Sequence, residues 1–322
     1  MLKNKVVLVT GGAGFIGSHI VDRCLNEGAE KVISFDNLVG GKLENHSHLK
    51  NDSRFKFVNG DIKNYDEIKP YVEQADVIFN EAASKLVVSL KDPFVDLQTN
   101  IVGNFNILEI LRKSGNNQRI IHASTGSVFG SSEKPFSEDD PKNPSTTYGI
   151  SKLATENYFK FYNKEYGIKS TVIRYFHVFG PRQDYSGEAG VISIFLSRVL
   201  AGKPPVIFSG GEQIRCFTYV EDDVNANMLM LKNNSTIGQT YNAASKTRMS
   251  INELASIIIK KYSKDPNMKT LIGEARMGEN LRPIPNTSKI EALGFKEQTS
   301  FEQGLEITKR WIEQDSGLKS LK

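Results

Sequence analysis

Val6-Val7-Leu8-Val9-Thr10-Gly11-Gly12-Ala13-Gly14-Phe15-Ile16-Gly17 is the stretch that decides the fold. Its apolar opening reads as a strand buried on both faces, as in parallel sheets. Glycines follow at 11, 14 and 17. Phe15, Ile16, Ile20, Val21, Cys24 and Leu25 then recur at helical spacing as far as Glu27-Gly28, where Gly28 suits a C-terminal cap. Strand, glycine turn and helix make a dinucleotide fingerprint. The glycines let the backbone approach a pyrophosphate, and the helix N-terminus attracts its charge. The spacing is Gly-xx-Gly-xx-Gly rather than Gly-x-Gly-xx-Gly, and a glycine turn without a ligand is the blander reading.

Downstream, strands and helices alternate. Lys31-Val32-Ile33-Ser34-Phe35 reads as a second strand with Asp36 at its end. A carboxylate there accepts from the hydroxyls of an adenosine ribose and repels a 2′-phosphate, so the expected cofactor is NAD rather than NADP. Asp36 could instead be a turn residue before Asn37. Phe55-Lys56-Phe57-Val58 delivers Asp61-Ile62, where Asp61 is placed to meet an adenine edge. Asp76-Val77-Ile78-Phe79 ends at Asn80-Glu81-Ala82-Ala83-Ser84-Lys85, whose small residues suit packing against a cofactor. One long helix is expected from about Pro93 to Leu111, carrying Asn100 and Gly103. Ile120-Ile121-His122-Ala123 puts Ser124 and Thr125 at a strand's carboxyl end, where open parallel sheets bind ligands.

Tyr148 and Lys152 stand four apart in a stretch that reads as helix, so they leave the same face. A phenol titrates near ~10. A neighbouring ammonium favours the phenolate and makes the pair a plausible general base. Alone, Tyr-xxx-Lys is weak, since chance supplies it in many helices.

The 322 residues are 39% hydrophobic and 24% charged, ordinary for a globular chain of one large domain or two lobes. The net charge of +4 comes from interspersed signs and gives no nucleic-acid footprint, though it suits an anionic small molecule. Cys24 and Cys216 make no disulfide framework, so a reducing, cytoplasmic setting is expected. No apolar run is long enough to span a bilayer, and no membrane partner is expected. His46 and His48 read as a solvated loop rather than a metal site, and no metal is expected.

Gly-xx-Gly-xx-Gly, Asp36, Asp61-Ile62, Thr125 and Tyr148-xxx-Lys152 together resemble the extended short-chain dehydrogenase/reductases. The branch is that of the nucleotide-sugar epimerases and dehydratases, with the UDP-glucose 4-epimerases most similar. The resemblance covers nearly the whole chain. It implies an α/β fold, a Rossmann-type doubly wound parallel sheet with a smaller, sequence-interleaved substrate lobe. Residues 1–179 would bind NAD, with returns near 214–245, and 180–322 would mainly hold the nucleotide sugar. It further implies that Gly11, Gly14, Phe15, Ile16 and Gly17 cradle the pyrophosphate, that Asp36 and Asn37 hold the ribose, and that Asp61 and Ile62 hold the adenine. Ala82, Ala83, Lys85, Asn100, Ser124 and Tyr175 would border the rest of the cofactor. Thr125 would orient the substrate hydroxyl and Tyr148 act as the base. Lys152 would bind the nicotinamide ribose and tune Tyr148. Gly126, Ser127 and Val191 would line the substrate site, shared with Lys85. Arg182, Arg215 and Arg276 would clamp a diphosphate, as the planar fork of Arg suits.

The expected reaction is 4-epimerisation of a nucleotide-diphosphate sugar, first of all a UDP-hexose, through a 4-keto intermediate. A homodimer is expected through helices around Pro93–Leu111 and Tyr148–Tyr166. A 4,6-dehydratase is disfavoured, because the family's Asp-Glu pair after the catalytic Thr is here Gly126-Ser127. A uronate epimerase or decarboxylase, a 4-keto-sugar reductase or dehydrogenase, and a non-catalytic NAD-binding regulator are the rival readings. Two departures lie near the substrate. His177 stands where the epimerases usually carry Asn, and Cys216 where Asp is common. Cys216 has nothing nearby in sequence to make it a nucleophile. Pro283 falls at a position that gates the sugar in UDP-galactose 4-epimerases.

Overall fold

The computed structural model describes residues 2–115, 117–131, 134–186, 190–274 and 284–315. Its centre is a seven-stranded sheet. In chain order the strands are β1 (Val6–Thr10), β2 (Lys31–Asp36), β3 (Phe55–Asn59), β4 (Val77–Asn80), β5 (Arg119–Thr125), β6 (Lys169–Tyr175) and β7 (Thr240–Ala243). Their spatial order is β7-β6-β5-β4-β1-β2-β3, and every pairing is parallel. The order reverses between β1 and β4, which opens a crevice beyond their carboxyl ends. This is the expected doubly wound sheet. β7 returns to it from well past residue 180, as the strand pattern of Gln239–Ala243 suggests.

The strands read as apolar runs because both faces are covered. On one face α1 (Phe15–Asn26) and α6 (Val220–Lys232) pack over Val7, Val9, Phe79, Ile121 and Ile173. On the other, α2 (Tyr65–Gln74), α3 (Asn104–Ser114) and α4 (Thr147–Tyr166) cover Leu8, Ile33, Ile78 and Ile120. The remaining helices, α5 (Val191–Leu200), α7 (Ile251–Tyr262) and α8 (Phe301–Gln314), share a separate apolar cluster around Phe195, Leu254 and Leu305. Ser250 and Glu253 form a capping box at the start of α7, each satisfying a backbone N–H of the other.

Two expectations are corrected. The long helix from Pro93 is not one α-helix. A short turn (Pro93–Asp96) runs into a π-helical segment (Leu97–Gly103) before α3 begins. The wider winding turns Asn100 fully inward. His46 is not in a solvated loop. It lies in a 3-10 turn, buried against Phe55, with its Nε2 3.0 Å from Ser34 Oγ. His48 pairs with Asp22 instead, at 2.8 Å, and among the described residues no cluster could hold a metal.

Candidate active site

The glycine turn joins β1 to α1 at the crevice. Gly17 faces the Gly11 carbonyl so closely that a Cβ there would collide with it, and this is how the first turn of α1 sits against the loop. Gly14 is the N-cap residue, and Phe15 and Ile16 open the helix. The carboxylate of Asp36, at the end of β2, holds this loop in place. It accepts from Ala13 N at 3.0 Å and from Leu38 N at 2.8 Å. Burial raises its pKa, and those backbone donors pull it down. A carboxylate offers about four lone-pair positions; these two bonds leave Asp36 able to accept more. Asp36 is thus a turn residue whose carboxylate keeps room for further donors.

Asn37 bridges the ends of β2 and β3 by donating to Asp61 at 2.9 Å. Asp61 also accepts from Lys63 N at 2.9 Å, and Ile62 is buried behind it. Beyond β4, Ala82 N donates to Thr10 Oγ1 at 3.3 Å, drawing the loop with Ala82 and Ala83 over the fingerprint. Lys85 is exposed at the start of the next helix and extends towards Gly40. The Asn100 side chain accepts from Ser84 N at 2.9 Å and donates to Asp96 at 2.7 Å and Ser151 at 3.1 Å, so it braces the loop that follows β4. Ser124 also turns inward, donating to the buried Glu156, which pairs with Arg174 at 2.6 Å.

Thr125 ends β5 and Tyr148 opens α4, which brings the Thr125 side chain close enough to act on the Tyr148 phenol. The cap of α4 makes this possible: Thr146 accepts from Gly149 N at 3.1 Å and fixes the first turn. Lys152 follows one turn later, 2% exposed, and donates from Nζ to the Ala123 carbonyl at 2.6 Å. Here the expected electrostatics are corrected. The phenol is not made acidic by Lys152. Burial pushes Tyr148 up to about 12, the nearby Thr125 side chain opposes this, and the charges of Asp96 and Glu81 add to it. Burial lowers Lys152 to about 8 against Glu81, Glu156 and Asp96, which favour its charged form. The i, i+4 spacing sets a shared helix face, and packing turns the ammonium towards β5.

A second group of polar side chains lies behind this pair, and residue patterning misses it. Tyr175, at the end of β6, donates to Glu81 Oε1 at 2.9 Å and accepts from Asn227 Nδ2 at 2.7 Å. Asp223, one turn before Asn227 on α6, has both carboxyl oxygens buried without a hydrogen-bond partner. Burial raises it far above the usual carboxylate range, with Asp222 and Glu81 adding to the effect. Burial likewise pushes Glu81 up to about 7, against the Tyr175 hydrogen bond and the Lys152 charge. The signal for Glu81 was present in the sequence: an acidic residue immediately after a buried parallel strand.

On the far side of the crevice, Gly126 and Ser127 form a tight turn in which Ser127 N donates to Thr125 Oγ1 at 3.2 Å. A Cβ on Gly126 would run into the Phe176 ring. His177 holds a left-handed backbone, φ 40°, with its ring edge against Phe217. Crowding by protein and the charge of Arg215 keep its imidazole neutral. Arg215 is buried and donates to the Ile214 carbonyl at 3.0 Å. Arg182 is not brought to this group. It pairs with Asp22 of α1 at 2.7 Å, because the chain after Gly180 turns back over that helix. Val191 opens α5, while Arg276 and Pro283 lie outside the described residues. Cys216 is buried, and burial pushes its thiol up to about 11, as expected of an unreactive cysteine.

Comparison with known proteins agrees with this geometry. The profile of the NAD dependent epimerase/dehydratase family matches residues 7–244. The UDP-glucose 4-epimerase of Mycolicibacterium smegmatis is 35% identical over 311 residues, 94% of this chain and 96% of that protein. A solved UDP-glucose 4-epimerase from Thermotoga maritima, with UDP-glucose, superposes with a TM-score of 0.88 at 34% identity, covering 98% of this chain and 100% of that one. A dTDP-glucose 4,6-dehydratase from Streptomyces venezuelae, solved with NAD, superposes with a TM-score of 0.92 at 29% identity, covering 98% of this chain and 100% of that one. Among the described residues, no helix is long and apolar enough to cross a membrane.

Proposed function

We propose, from the premise that this chain belongs to the NAD dependent epimerase/dehydratase family, that it inverts C4 of a nucleotide-diphosphate sugar, a UDP-hexose first of all. The observation that carries this reading is the approach of Tyr148, in the first turn of α4, to Thr125 at the carboxyl end of β5, with glycine immediately after Thr125. NAD is the cofactor. When bound it would supply a hydride acceptor and donor and, in its oxidised form, a positive charge.

Thr125 aligns the C4 hydroxyl of the sugar, and Tyr148 takes its proton as the C4 hydrogen departs. The resulting 4-keto sugar is flat at C4. Rotation about its link to the diphosphate presents the other face of C4 to the returning hydride, and Tyr148 gives its proton back to the C4 oxygen. Arg215 holds the diphosphate, so the sugar turns without escaping. The fingerprint glycines, Asp36 and Asp61 hold the adenosine half of the cofactor. Ser127 and Lys85 face the sugar. Residues 1–179 with β7 form the cofactor-binding part, and the later helices form the sugar-binding lobe.

A dehydratase would need a carboxylic acid next to Thr125, and the Phe176 ring occupies the space its Cβ would take. That observation favours epimerisation despite the close superposition with a dehydratase. A homodimer is part of the proposal. Phe94, Leu97, Phe105, Ile150, Phe161 and Tyr166 are exposed on the neighbouring helical faces, a density of apolar surface typical of an interface.

Incubation with UDP-, GDP-, CDP- and dTDP-sugars, followed by NMR without added NAD, tests the reaction. Inversion at C4 with no net NADH is the expected result. Loss of water from C6, or stoichiometric NADH release, would replace this reading.

A further inference from the structure

We propose that Glu81 is the counter-charge of the oxidised cofactor, and that the site's preference between NAD⁺ and NADH is tied to a proton on Glu81. This rests on the reading of Tyr148 as the base. The proton and the hydride leave the same H–C–O–H unit of the sugar. The redox-active ring must therefore lie within a few ångströms of Tyr148, as a near-attack arrangement requires. Glu81 stands at the carboxyl end of β4, close enough for its charge to act on both Tyr148 and Lys152.

Its carboxyl is held rather than free. The Tyr175 hydroxyl donates to Oε1 at 2.9 Å, and Asn227 fixes that hydroxyl from behind at 2.7 Å. The titratable groups around it are Tyr175 from β6, Asp223 from α6, and Tyr148 and Lys152 from α4, with Asp96 next to Lys152. Asp223 is buried with no hydrogen-bond partner for its carboxyl among the described residues, and burial together with the charges of Asp222 and Glu81 favours its neutral form. Glu81 itself titrates close to neutrality, at about 7. A positive ring nearby favours its carboxylate, and a neutral ring removes that support. The balance is simple: occupation by NAD⁺ releases the Glu81 proton to solvent, and occupation by NADH takes one back from solvent.

The test reads cofactor composition and needs no sugar turnover. Holoenzyme is equilibrated with NAD⁺/NADH mixtures of known ratio at about pH 6 and about pH 8.5, and the bound cofactor is then released and quantified. By linkage, the wild-type preference for NAD⁺ should rise about tenfold over that range. Glu81→Gln should be flat, held at the low-pH level. Asp223→Asn should keep the wild-type slope. Tyr175→Phe, which removes the donor to Glu81, should move the slope to higher pH. A slope that survives in Glu81→Gln would assign the proton to Lys152 and overturn the proposal. An indicator dye in unbuffered wild-type protein is a second check. No proton release when NAD⁺ displaces NADH would also overturn it. Failure of C4 inversion in the sugar panel leaves this measurement intact, so the two ideas fail separately.

Discussion

Lys152 Nζ donates to the carbonyl oxygen of Ala123 at 2.6 Å, two residues before β5 ends at Thr125. The bond ties α4 to the strand that carries the proposed substrate-orienting hydroxyl. It also holds an ammonium in protein surroundings, where three carboxylates rather than water support its charge. The cost of that arrangement can be measured.

In the folded chain Lys152 titrates at about 8, against ~10.4 for an unfolded lysine. Between those values the unfolded chain binds more protons, so this residue makes stability rise with pH over that window. Lys152→Met removes the dependence. At neutral pH the variant should be more stable than wild type, by up to about 3 kcal/mol, and the advantage should shrink towards pH ~10. Denaturant unfolding at both pH values reads the difference. An equal or lower stability at neutral pH would mean that the surrounding carboxylates fully compensate the buried charge.

Tyr148→Phe removes the phenol and keeps the ring. Loss of one general acid–base group lowers kcat by about 10²–10⁴-fold. NAD should remain bound, because Asp36 and the glycine turn are untouched. The ratio of NAD released on denaturation to protein checks retention, and NMR with the active sugar checks turnover. Wild-type turnover in this variant would remove Tyr148 from the chemistry.

Gly126→Ala drives a methyl group into the Phe176 ring. Overpacking of this kind costs about 1–3 kcal/mol. Phe176→Leu alone should be destabilising, yet combined with Gly126→Ala it should recover part of the loss. Such a double-mutant cycle, read by chemical unfolding, gives a coupling term that is absent if the two residues do not meet.

Asp36→Asn takes away the charge and keeps only one of the two oxygens that accept from Ala13 and Leu38, so one of those loop bonds is lost with it. Hydrogen bonds to a charged group contribute about 1.5–3 kcal/mol, so NAD binding should weaken by about tenfold or more. NADP should gain relative to NAD, since the charge opposing its 2′-phosphate is gone. Equilibrium binding of both cofactors decides it. An unchanged ratio would place the ribose elsewhere.

The strand-turn-helix stretch 6–28 was fully legible, because apolar runs and glycine spacing are local signals. Directions inside the site were not. Tyr148 and Lys152 share a helix face by spacing, but only tertiary packing sends Nζ to Ala123. Asn100 was expected beside the cofactor from the resemblance alone, and spacing could not foretell that its side chain would bond Ser84, Asp96 and Ser151 from within a π-helical segment. Arg182 carries the right charge for a diphosphate, yet the turn after Gly180 delivers it to Asp22. Glu81 stayed hidden among small residues, and its partners come from β6 and α6, far away in sequence.

The seventh strand of the sheet arrives only at residues 240–243. Until that point has been synthesised, β6 is an open edge offering unpaired backbone groups to any neighbouring chain. A gene fragment cut after residue 179 would therefore encode an aggregation-prone remnant rather than a portable cofactor module. During translation, a bound chaperone or a slow ribosome would matter most in the interval between those two strands.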